Sequence, residues 1–317
     1  MPEVFAPVRA DLAGGTLDLW PLYCFHPGSL TVNVPLQSGV RLRLHPGAAP
    51  AGMIRHRAPG RPDRVLDRDH TGQDLVAAVG FHFLPGGGFE IEVLDQPPVG
   101  SGLGGSSVLA VALAKACLAV AGRRMNSRDL VAVLKDLEAG VLAAPTGVQD
   151  YYPALLRAPL ALHFGPGGER VERLAVRRRW VADHLLVVFS GLSHSSGMVN
   201  WEVYRARVDG EPGVAAGLGR IAATARECRR ALLLGDASAV GEAIAAEWSA
   251  RRELAPAVNP PAVDAILAAG LGAGALAGKA CGAGGGGSLL FWLPPWRREA
   301  VLAATLDAAG PGAHPIS

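Results

Sequence analysis

The sequence predicts an α+β protein of two domains. The chain has 317 residues, about twice the length of an ordinary domain. Half of the residues are apolar and 18% are charged, which supplies material for packed cores and excludes disorder as the global state. Strand-like and helical segments alternate without the regular βαβ period of a doubly wound sheet, and this favours a two-layer α+β architecture.

Charge, cysteine usage and hydropathy exclude several classes of partner. The formal net charge of +2 is too small to indicate a nucleic-acid surface. The N-terminal stretch has no charged and apolar leader pattern, and no segment is apolar enough over its whole length to span a bilayer. We therefore expect a cytoplasmic protein with no nucleic-acid and no membrane partner. The cysteines have no metal spacing and are expected to be free thiols; they are Cys24, Cys117, Cys228 and Cys281.

The first part of the chain shows strand signals separated by turns. SLTVNV and VRLRL, within residues 29–44, have strand-like composition, and the Pro and Gly of the intervening PLQSG favour a turn. Residues 51–75 are polar and rich in arginine, which favours a surface excursion over a phosphate-binding site. Two further strands are predicted at Val79–Phe83 and Phe89–Leu94.

Helical signals dominate from residue 105 onward. A glycine loop runs directly into an Ala/Leu/Val helix, and Asn126 can cap a second helix over 128–142. After residue 180 the pattern restarts with the strand HLLVVF, so we place the domain boundary there, giving domains 1–180 and 181–317. The later predicted elements are helices at 198–209, 214–233, 235–252 and 261–270, the glycine loop 278–287 and the strand SLLFWL.

The loop Gly100-Ser101-Gly102-Leu103-Gly104-Gly105 matches the spacing GxGxxG. A dinucleotide site is not favoured, because the loop does not follow the first strand and Asp129 begins a helix instead of ending a second strand. The loop also lacks the GK[ST] of a P-loop. The sequel Ser106-Ser107 places hydroxyls at a helix N-terminus, where backbone N–H groups attract phosphate. The segment therefore favours a phosphate-binding loop.

The segment PPVGSGLGGSSVLA resembles the phosphate-binding motif of the GHMP small-molecule kinases. That family usually has GLGSSA, so Gly105 replaces the first serine and Ser106 becomes the expected metal ligand. The resemblance implies that ATP is the phosphoryl donor and that Mg²⁺ accompanies it. The residues it assigns to the ATP phosphates are Gly100, Gly102, Leu103, Gly104, Gly105, Ser106 and Ser107.

Further segments resemble the same family, in its sugar-kinase branch, and in the same order along the chain. They are APVRADLAGGTLDL, PTGVQDYYPALL, FSGLSHSSGMVNWEVY and GKACGAGGGGSLLFW. The resemblance implies the two-domain GHMP kinase fold. Its N-terminal domain is like ribosomal protein S5 domain 2, its C-terminal domain is ferredoxin-like, and the active site lies between them.

The resemblance also implies roles for individual residues. Asp150 is expected to be the catalytic base and Arg9 its catalytic partner, while Glu138 joins Ser106 in holding Mg²⁺. Asp18 is expected to bind sugar hydroxyls. Taken without the resemblance, Asp150 would be a helix cap or a solvated charge and Asp18 a turn residue. A surface ion pair at Arg9 is disfavoured, because the apolar Val8 and Ala10 flank it in a predicted strand. The other expected substrate-binding residues are Gly147, Gln149, His194, Gly284 and Gly285.

The predicted function is transfer of the γ-phosphoryl of MgATP to the anomeric hydroxyl of a monosaccharide, as in galactokinase. A heptose-7-phosphate 1-kinase, a kinase of a non-sugar alcohol and a catalytically inactive sugar or nucleotide sensor remain as alternatives. A hydrolase built on His194 is not favoured, because no GxSxG elbow accompanies it. The chain departs from the branch at Arg157-Ala158-Pro159, where a glycine pair is usual, and we expect the backbone there to be less free to adopt positive φ.

Overall fold

The computed structural model describes residues 1–192, 196–254, 258–282 and 284–316. The chain forms two compact units, and each combines segments that are distant in sequence. Unit 1 comprises residues 1–8, 37–97 and 104–157, and unit 2 comprises 9–36, 98–103 and 158–317. Each unit is discontinuous in sequence, so the two units do not correspond to one cut in the chain. The single boundary expected near residue 180 stays a prediction.

Strands and helices occur in both units. The strands are β1 (Glu3–Ala13), β2 (Leu30–Ala51), β3 (Ile54–Arg57), β4 (Arg64–Leu66), β5 (Gly87–Asp95), β6 (Leu160–Gly165), β7 (Gly168–Arg173), β8 (Leu185–Phe189), β9 (Ala277–Ala280), β10 (Ser288–Trp292) and β11 (His314–Ile316). The α-helices are α1 (Leu22–Phe25), α2 (Leu75–Phe83), α3 (Gly105–Val120), α4 (Ser127–Leu142), α5 (Tyr151–Leu156), α6 (Arg178–His184), α7 (Ser196–Val208), α8 (Pro212–Leu234), α9 (Ala237–Arg252), α10 (Pro261–Gly272) and α11 (Arg298–Ala309). Short 3-10 helices cover Arg68–Gly72 and Pro295–Arg297.

Two sheets organise these elements. In the larger sheet the order is β4-β3-β5-β2-β6-β7, with β1 paired to β2. Strand β2 is long enough to pair antiparallel with β6 through Leu30–Asn33 and with β5 through 41–51. The smaller sheet, in unit 2, has the order β11-β8-β10-β9, and its described pairs are antiparallel.

The predicted turn at PLQSG is wrong, because β2 continues through it. Gly39 is the residue that permits this. A Cβ at Gly39 would lie 2.2 Å from the carbonyl oxygen of Ala6, so only glycine lets β1 and β2 approach so closely here. Gly39 therefore serves close packing of two strands and does not form a turn.

The predicted strand at Val79–Phe83 is also wrong, because these residues form the second half of helix α2. Asp74 caps this helix by accepting hydrogen bonds from the backbone N–H groups of Val76 and Ala77. The helix is apolar on nearly every face because it is buried in unit 1, where α2 packs against α3 and α4. A helix buried all round lacks the 3.6-residue pattern that distinguishes it from a strand.

The core of unit 2 lies between the smaller sheet and helices α8 to α11. Its members are apolar side chains of several elements, including Leu186, Leu218, Ile221, Trp248, Ile266 and Phe291. Leu17, from the glycine turn after β1, is fully buried in the same core. Leu17, which lies between Thr16 and Asp18 in the sequence, therefore anchors the turn in the core. No helix among the described residues is both long and apolar enough to cross a membrane.

Candidate functional site

Gly104 ends the predicted phosphate loop and caps helix α3 in unit 1. Its φ of +76° lies in the left-handed region, which favours glycine. A Cβ on Gly104 would lie 2.6 Å from Cγ of Asp150, so the absence of a side chain lets that carboxyl group rest against the helix N-terminus. Gly105 is less constrained, because its Cβ would lie 3.4 Å from Cγ of Pro97. The loop thus brings an acid to an end of a helix that attracts phosphate.

Asp150 lies at the start of α5, immediately after the loop that contains Gly147 and Gln149. It occupies the N-cap position, but its side chain makes no capping hydrogen bond to the helix. The cap role that the isolated sequence suggested is therefore wrong. Gln149 is buried and Gly147 and Asp150 are partly exposed. The structure brings Asp150 to Gly104 within one compact unit.

A buried carboxylate lies beside the serines of α3. Glu138, on α4, is 4% exposed, and its Oε2 accepts hydrogen bonds from the Ser107 hydroxyl at 2.7 Å and from the Tyr151 hydroxyl. Burial raises the pKa of the Glu138 carboxyl, although hydrogen bonds from Tyr151, Ser107 and Ser106 oppose the shift. Ser106 itself is exposed at the first turn of the helix. Sequence reasoning missed Tyr151 as the partner of Glu138.

This oxygen set is compatible with Mg²⁺. Mg²⁺ commonly takes one or two protein oxygens and completes its shell with water and substrate phosphates. Ser106 supplies an exposed hydroxyl, and the Glu138 carboxylate is buried at a cost that a cation would offset. No cluster of three or more His, Cys, Asp or Glu side chains with metal-ligand geometry occurs among the described residues. The residues therefore fit a Mg²⁺ ion that is coordinated by phosphate oxygens of a ligand as well as by the protein.

The first half of the phosphate loop belongs to unit 2, where Arg9 holds it. Arg9, on β1, donates from Nη1 to the carbonyl oxygen of Gly102 at 2.8 Å, and its backbone N–H lies 3.5 Å from the carbonyl oxygen of Leu103. Gly100 and Gly102 both have φ of +73°. Arg9 is buried, which excludes the surface ion pair that its apolar neighbours Val8 and Ala10 disfavoured. Its guanidinium lies 3.5 Å from the carboxylate of Asp11.

The C-terminal glycine loop meets the phosphate loop at Gly282 and Gly287. A Cβ at Gly282 would lie 2.9 Å from the carbonyl oxygen of Gly102, and one at Gly287 would lie 2.7 Å from that of Ser101. Gly284 and Gly285 instead pack on Val258, and the Gly285 N–H donates to its carbonyl at 2.8 Å. Gly282 and Gly287 therefore let this loop approach the backbone of the phosphate loop, and Gly284 lets it approach the backbone at Val258. All of these residues lie in unit 2.

Asp18 follows a tight glycine turn in unit 2 and is only 5% exposed. The turn is closed by hydrogen bonds from Leu17 N–H to Gly14 and from Leu19 N–H to Thr16, each 3.2 Å. A buried carboxylate at this place is compatible with a ligand-binding role. His194 lies outside the described residues, and its predicted role stays a prediction.

Two other arginine groups are explained by local contacts. Arg157 takes φ of +52° at the end of α5, so the expected restriction on positive φ at this departure is wrong. Its guanidinium donates to the Phe5 carbonyl and lies over the Phe5 ring, which stabilises this conformation. Within residues 51–75, Arg55 pairs with Glu90 and Arg64 pairs with Asp74. These ion pairs agree with a structural surface segment.

Sequence reasoning missed four charged residues buried in unit 2. Asp11, Glu247, Arg251 and Lys279 are each no more than 1% exposed. Two signals could have found them: Asp11 shares a strand face with Arg9 two residues away, and Glu247 and Arg251 are four residues apart on one helix. Their mutual contacts are described below.

Family models match both parts of the chain. The GHMP kinases N terminal domain matches residues 72–158, and the GHMP kinases C terminal model matches residues 228–311. Together the two matches cover more than half of the chain. The chain belongs to the GHMP kinase family. The predicted α+β class and two-domain GHMP kinase fold are thereby confirmed.

Curated GHMP kinase relatives include sugar and sugar-phosphate kinases. The D-glycero-α-D-manno-heptose 7-phosphate kinase of Campylobacter jejuni is 22% identical over 226 residues, which cover 70% of this chain and 66% of the relative. The L-fucokinase/L-fucose-1-P guanylyltransferase of Bacteroides fragilis is 25% identical over 325 residues, covering 90% of this chain and 34% of the relative. The chain thus spans slightly under two thirds of the first relative and about a third of the second.

Solved structures of other GHMP kinases share the fold. A heptose 1-phosphate kinase from Bacteroides thetaiotaomicron has a TM-score of 0.74 at 21% identity, covering 99% of this chain and 98% of that one. Galactokinase from Lactococcus lactis, solved with galactose, has a TM-score of 0.76 at 15% identity, covering 99% and 92%. The chain is thus a member of a phosphotransferase family with sugar-kinase homologues. GHMP kinases use ATP, typically with Mg²⁺.

Proposed function

We propose that this GHMP kinase transfers the γ-phosphoryl group of MgATP to the anomeric hydroxyl of a monosaccharide. The observation that carries the proposal is the Asp150 carboxyl group, which rests against Gly104 at the N-terminus of α3. An acid held beside a phosphate-binding helix end is suited to act on the acceptor of a phosphoryl group.

The phosphates of ATP would lie along the glycine loop and the first turn of α3. The loop glycines let backbone N–H groups approach phosphate oxygens, and the helix end adds a partial positive charge. The residues proposed for this role are Gly100, Gly102, Leu103, Gly104, Gly105, Ser106 and Ser107. Ser106 and Glu138 would hold Mg²⁺, which when bound neutralises part of the triphosphate charge.

Asp150 would accept the proton of the acceptor hydroxyl as the oxygen attacks the γ-phosphorus. Arg9 would stabilise the charge that develops on the transferred group, because a guanidinium is permanently positive and Arg9 already contacts the phosphate loop at Gly102. The buried Asp18 would accept hydrogen bonds from sugar hydroxyls further from the reacting centre. Gly147, Gln149, His194, Gly284 and Gly285 are proposed to complete the acceptor site.

The test is ATP consumption with purified chain over a panel of free sugars, sugar phosphates, homoserine and mevalonate. We expect turnover with a free sugar and a product whose phosphorus NMR signal couples to the anomeric proton. Phosphate on a primary or ring hydroxyl would contradict the proposed position of attack. Turnover of a non-sugar alcohol alone would contradict the sugar-kinase assignment, and nucleotide or sugar binding without turnover would indicate a sensor.

A sugar that already carries a phosphate is the second candidate acceptor. The observation that favours it is the similarity to the heptose 7-phosphate kinase of C. jejuni over 70% of this chain. The same panel separates the two candidates. Preference for heptose 7-phosphate over free heptose and galactose by tenfold or more in kcat/KM would select the second.

A further inference from the structure

A continuous chain of buried charged and polar groups connects the C-terminal glycine loop to the turn before Asp18, entirely within unit 2. Its members come from β1, the glycine turn, α9 and β9, which are far apart in sequence. They are Asp11, Lys279, Glu247, Arg251 and Thr16.

The first part of this network connects the C-terminal glycine loop to Arg9, which contacts the phosphate loop. Oδ1 of Asp11 accepts a hydrogen bond from the Gly282 N–H at 2.9 Å and lies 3.5 Å from the guanidinium of Arg9. Its other oxygen, Oδ2, accepts from Nζ of Lys279 at 3.2 Å. Burial alone would raise the pKa of the Asp11 carboxyl, but the neighbouring cations Lys279 and Arg9 hold it below its ordinary value. Asp11 therefore remains an anion in the core.

The second part connects α9 to the glycine turn. Nζ of Lys279 lies 3.0 Å from Oε2 of Glu247, and Oε1 of Glu247 accepts from Nε and Nη2 of Arg251 at 3.0 and 2.6 Å. Arg251 then donates to Oγ1 of Thr16 at 3.1 Å and to the carbonyl oxygen of Gly15 at 2.8 Å. One guanidinium thus donates hydrogen bonds to both Gly15 and Thr16 at the bend of the turn.

Thr16 needs such support because of its backbone. Its φ is +75°, in the left-handed region that a β-branched residue rarely adopts. Strain of this kind persists only where surrounding contacts enforce it, and it clusters at functional sites. Leu17, the next residue, is fixed in the core, so the conformation of Thr16 sets the direction in which the chain presents Asp18.

Stability alone does not account for a buried ionic chain of this length. Buried ion pairs lose most of their attraction to desolvation, and apolar replacements of similar volume are often as stable. The charge of Asp18 also reaches Arg251: burial would lower the pKa of Arg251, but the carboxylates of Glu247, Asp11 and Asp18 raise it. The guanidinium therefore interacts electrostatically with the proposed sugar-binding acid.

We propose that Arg251, held by Glu247, is a positioning residue that maintains the strained turn at Thr16 and so orients Asp18 toward the phosphoryl acceptor. The inference rests on the proposed function for the identity of the acceptor as a sugar. It adds residues outside every motif that the family resemblance assigned. Glu247 acts through Arg251 and does not touch the acceptor.

The test compares Thr16→Val with Thr16→Ser. Valine keeps the shape and the backbone strain of threonine but removes the oxygen that accepts from Arg251, whereas serine keeps that oxygen. We expect Thr16→Val to raise the acceptor KM about tenfold or more, because a hydrogen bond from a charged donor is lost, with the MgATP KM changed less than twofold. Thr16→Ser should restore most of the acceptor affinity.

Arg251→Lys and the double variant Thr16→Val/Arg251→Lys complete the cycle. If the two residues act together, the double variant is no worse than the poorer single variant. Glu172→Gln, which removes a carboxylate from an ion pair outside the chain of contacts, is the control and should leave both KM values unchanged. Thr16→Val with an unchanged acceptor KM, or with both KM values raised equally, overturns the inference.

The acceptor for these measurements is whichever compound of the panel the wild-type chain phosphorylates fastest. A non-sugar acceptor therefore contradicts the proposed function and still tests the positioning of Asp18 through the split between the two KM values. A wild-type chain that neither phosphorylates nor binds any compound of the panel overturns both.

Discussion

Replacing Gly104 with alanine should separate the placement of Asp150 from the stability of the fold. The new Cβ would lie 2.6 Å from Cγ of Asp150, whereas ordinary van der Waals contact begins near 3.4 Å. The Asp150 carboxyl must therefore retreat by about 0.8 Å, and a misplacement of about 1 Å can cost about 10²-fold in rate. The left-handed φ of Gly104 adds about 1–2 kcal/mol of destabilisation for any residue with a Cβ.

Steady-state kinetics and thermal unfolding measure these effects separately. We expect Gly104→Ala to lower kcat by about two orders of magnitude. Gly122→Ala is the matched control, because Gly122 has φ of +64° with no atom within 4 Å of an added Cβ. That variant should lose comparable stability and keep its kcat. Gly105→Ala, with its nearest contact at 3.4 Å, should disturb the chemistry less than Gly104→Ala.

A double-mutant cycle shows whether Gly104→Ala lowers kcat through Asp150. If Gly104→Ala acts by displacing Asp150, adding it to Asp150→Asn should cost little further activity, because the displaced group is already disabled. Fully additive losses would show that the alanine harms ATP binding or the loop itself. A kcat near the wild-type value in Gly104→Ala would refute the reasoning that this close approach positions the base.

The remaining predictions address the other parts of the site and of unit 2. Asp150→Asn should lower kcat by about 10²–10⁴-fold with nearly unchanged ATP affinity, measured by kinetics and calorimetry, because the carboxylate acts on the acceptor. Asp18→Ala should raise the sugar KM by about tenfold or more and leave the ATP KM nearly unchanged, which kinetics with each substrate varied will show. Ser106→Ala should raise the Mg²⁺ concentration needed for half-maximal rate, and an unchanged requirement would contradict the metal assignment. Hydrogen bonds from Arg229 lower the pKa of Glu172 to about 2. The pair therefore contributes its full stability above the ordinary carboxyl pKa and loses it as the pH falls to the lowered pKa. The difference in Tm between wild type and Glu172→Gln should therefore shrink between about pH 4.5 and pH 2, and a difference independent of pH would contradict it.

Local sequence signals predicted much of the fold correctly. Helices α3 and α4 appeared at their expected places, because Gly104 and Asn126 are cap residues whose effect depends on their immediate neighbours. Strands β8 and β10 were apparent as short apolar runs. The errors at 35–39 and 79–83 arose where burial by distant segments decided the conformation.

The candidate site was predictable to the extent that its segments resemble those of the GHMP kinases. The loop from Gly100, the acid Asp150 and the carboxylate Glu138 were named from the sequence, and the structure brings Glu138 to the serines of α3 and Asp150 to Gly104. Gly282 and Gly287 were missed as the contacts of the phosphate loop, because a run of adjacent glycines does not reveal which of them meets another backbone.

The sequence by itself determined where helices α3 and α4 begin, since helix caps act over a few residues. Only the tertiary structure decided how charge is distributed in the core. Asp11 and Lys279 are separated by 268 residues, yet their side chains meet at 3.2 Å. Each of them is buried as an ion beside oppositely charged partners, Arg9 as well as Lys279 for Asp11 and Glu247 as well as Asp11 for Lys279, because an unpaired charge in the interior is costly. Their pairing is therefore a property of the folded chain, which no local pattern encodes.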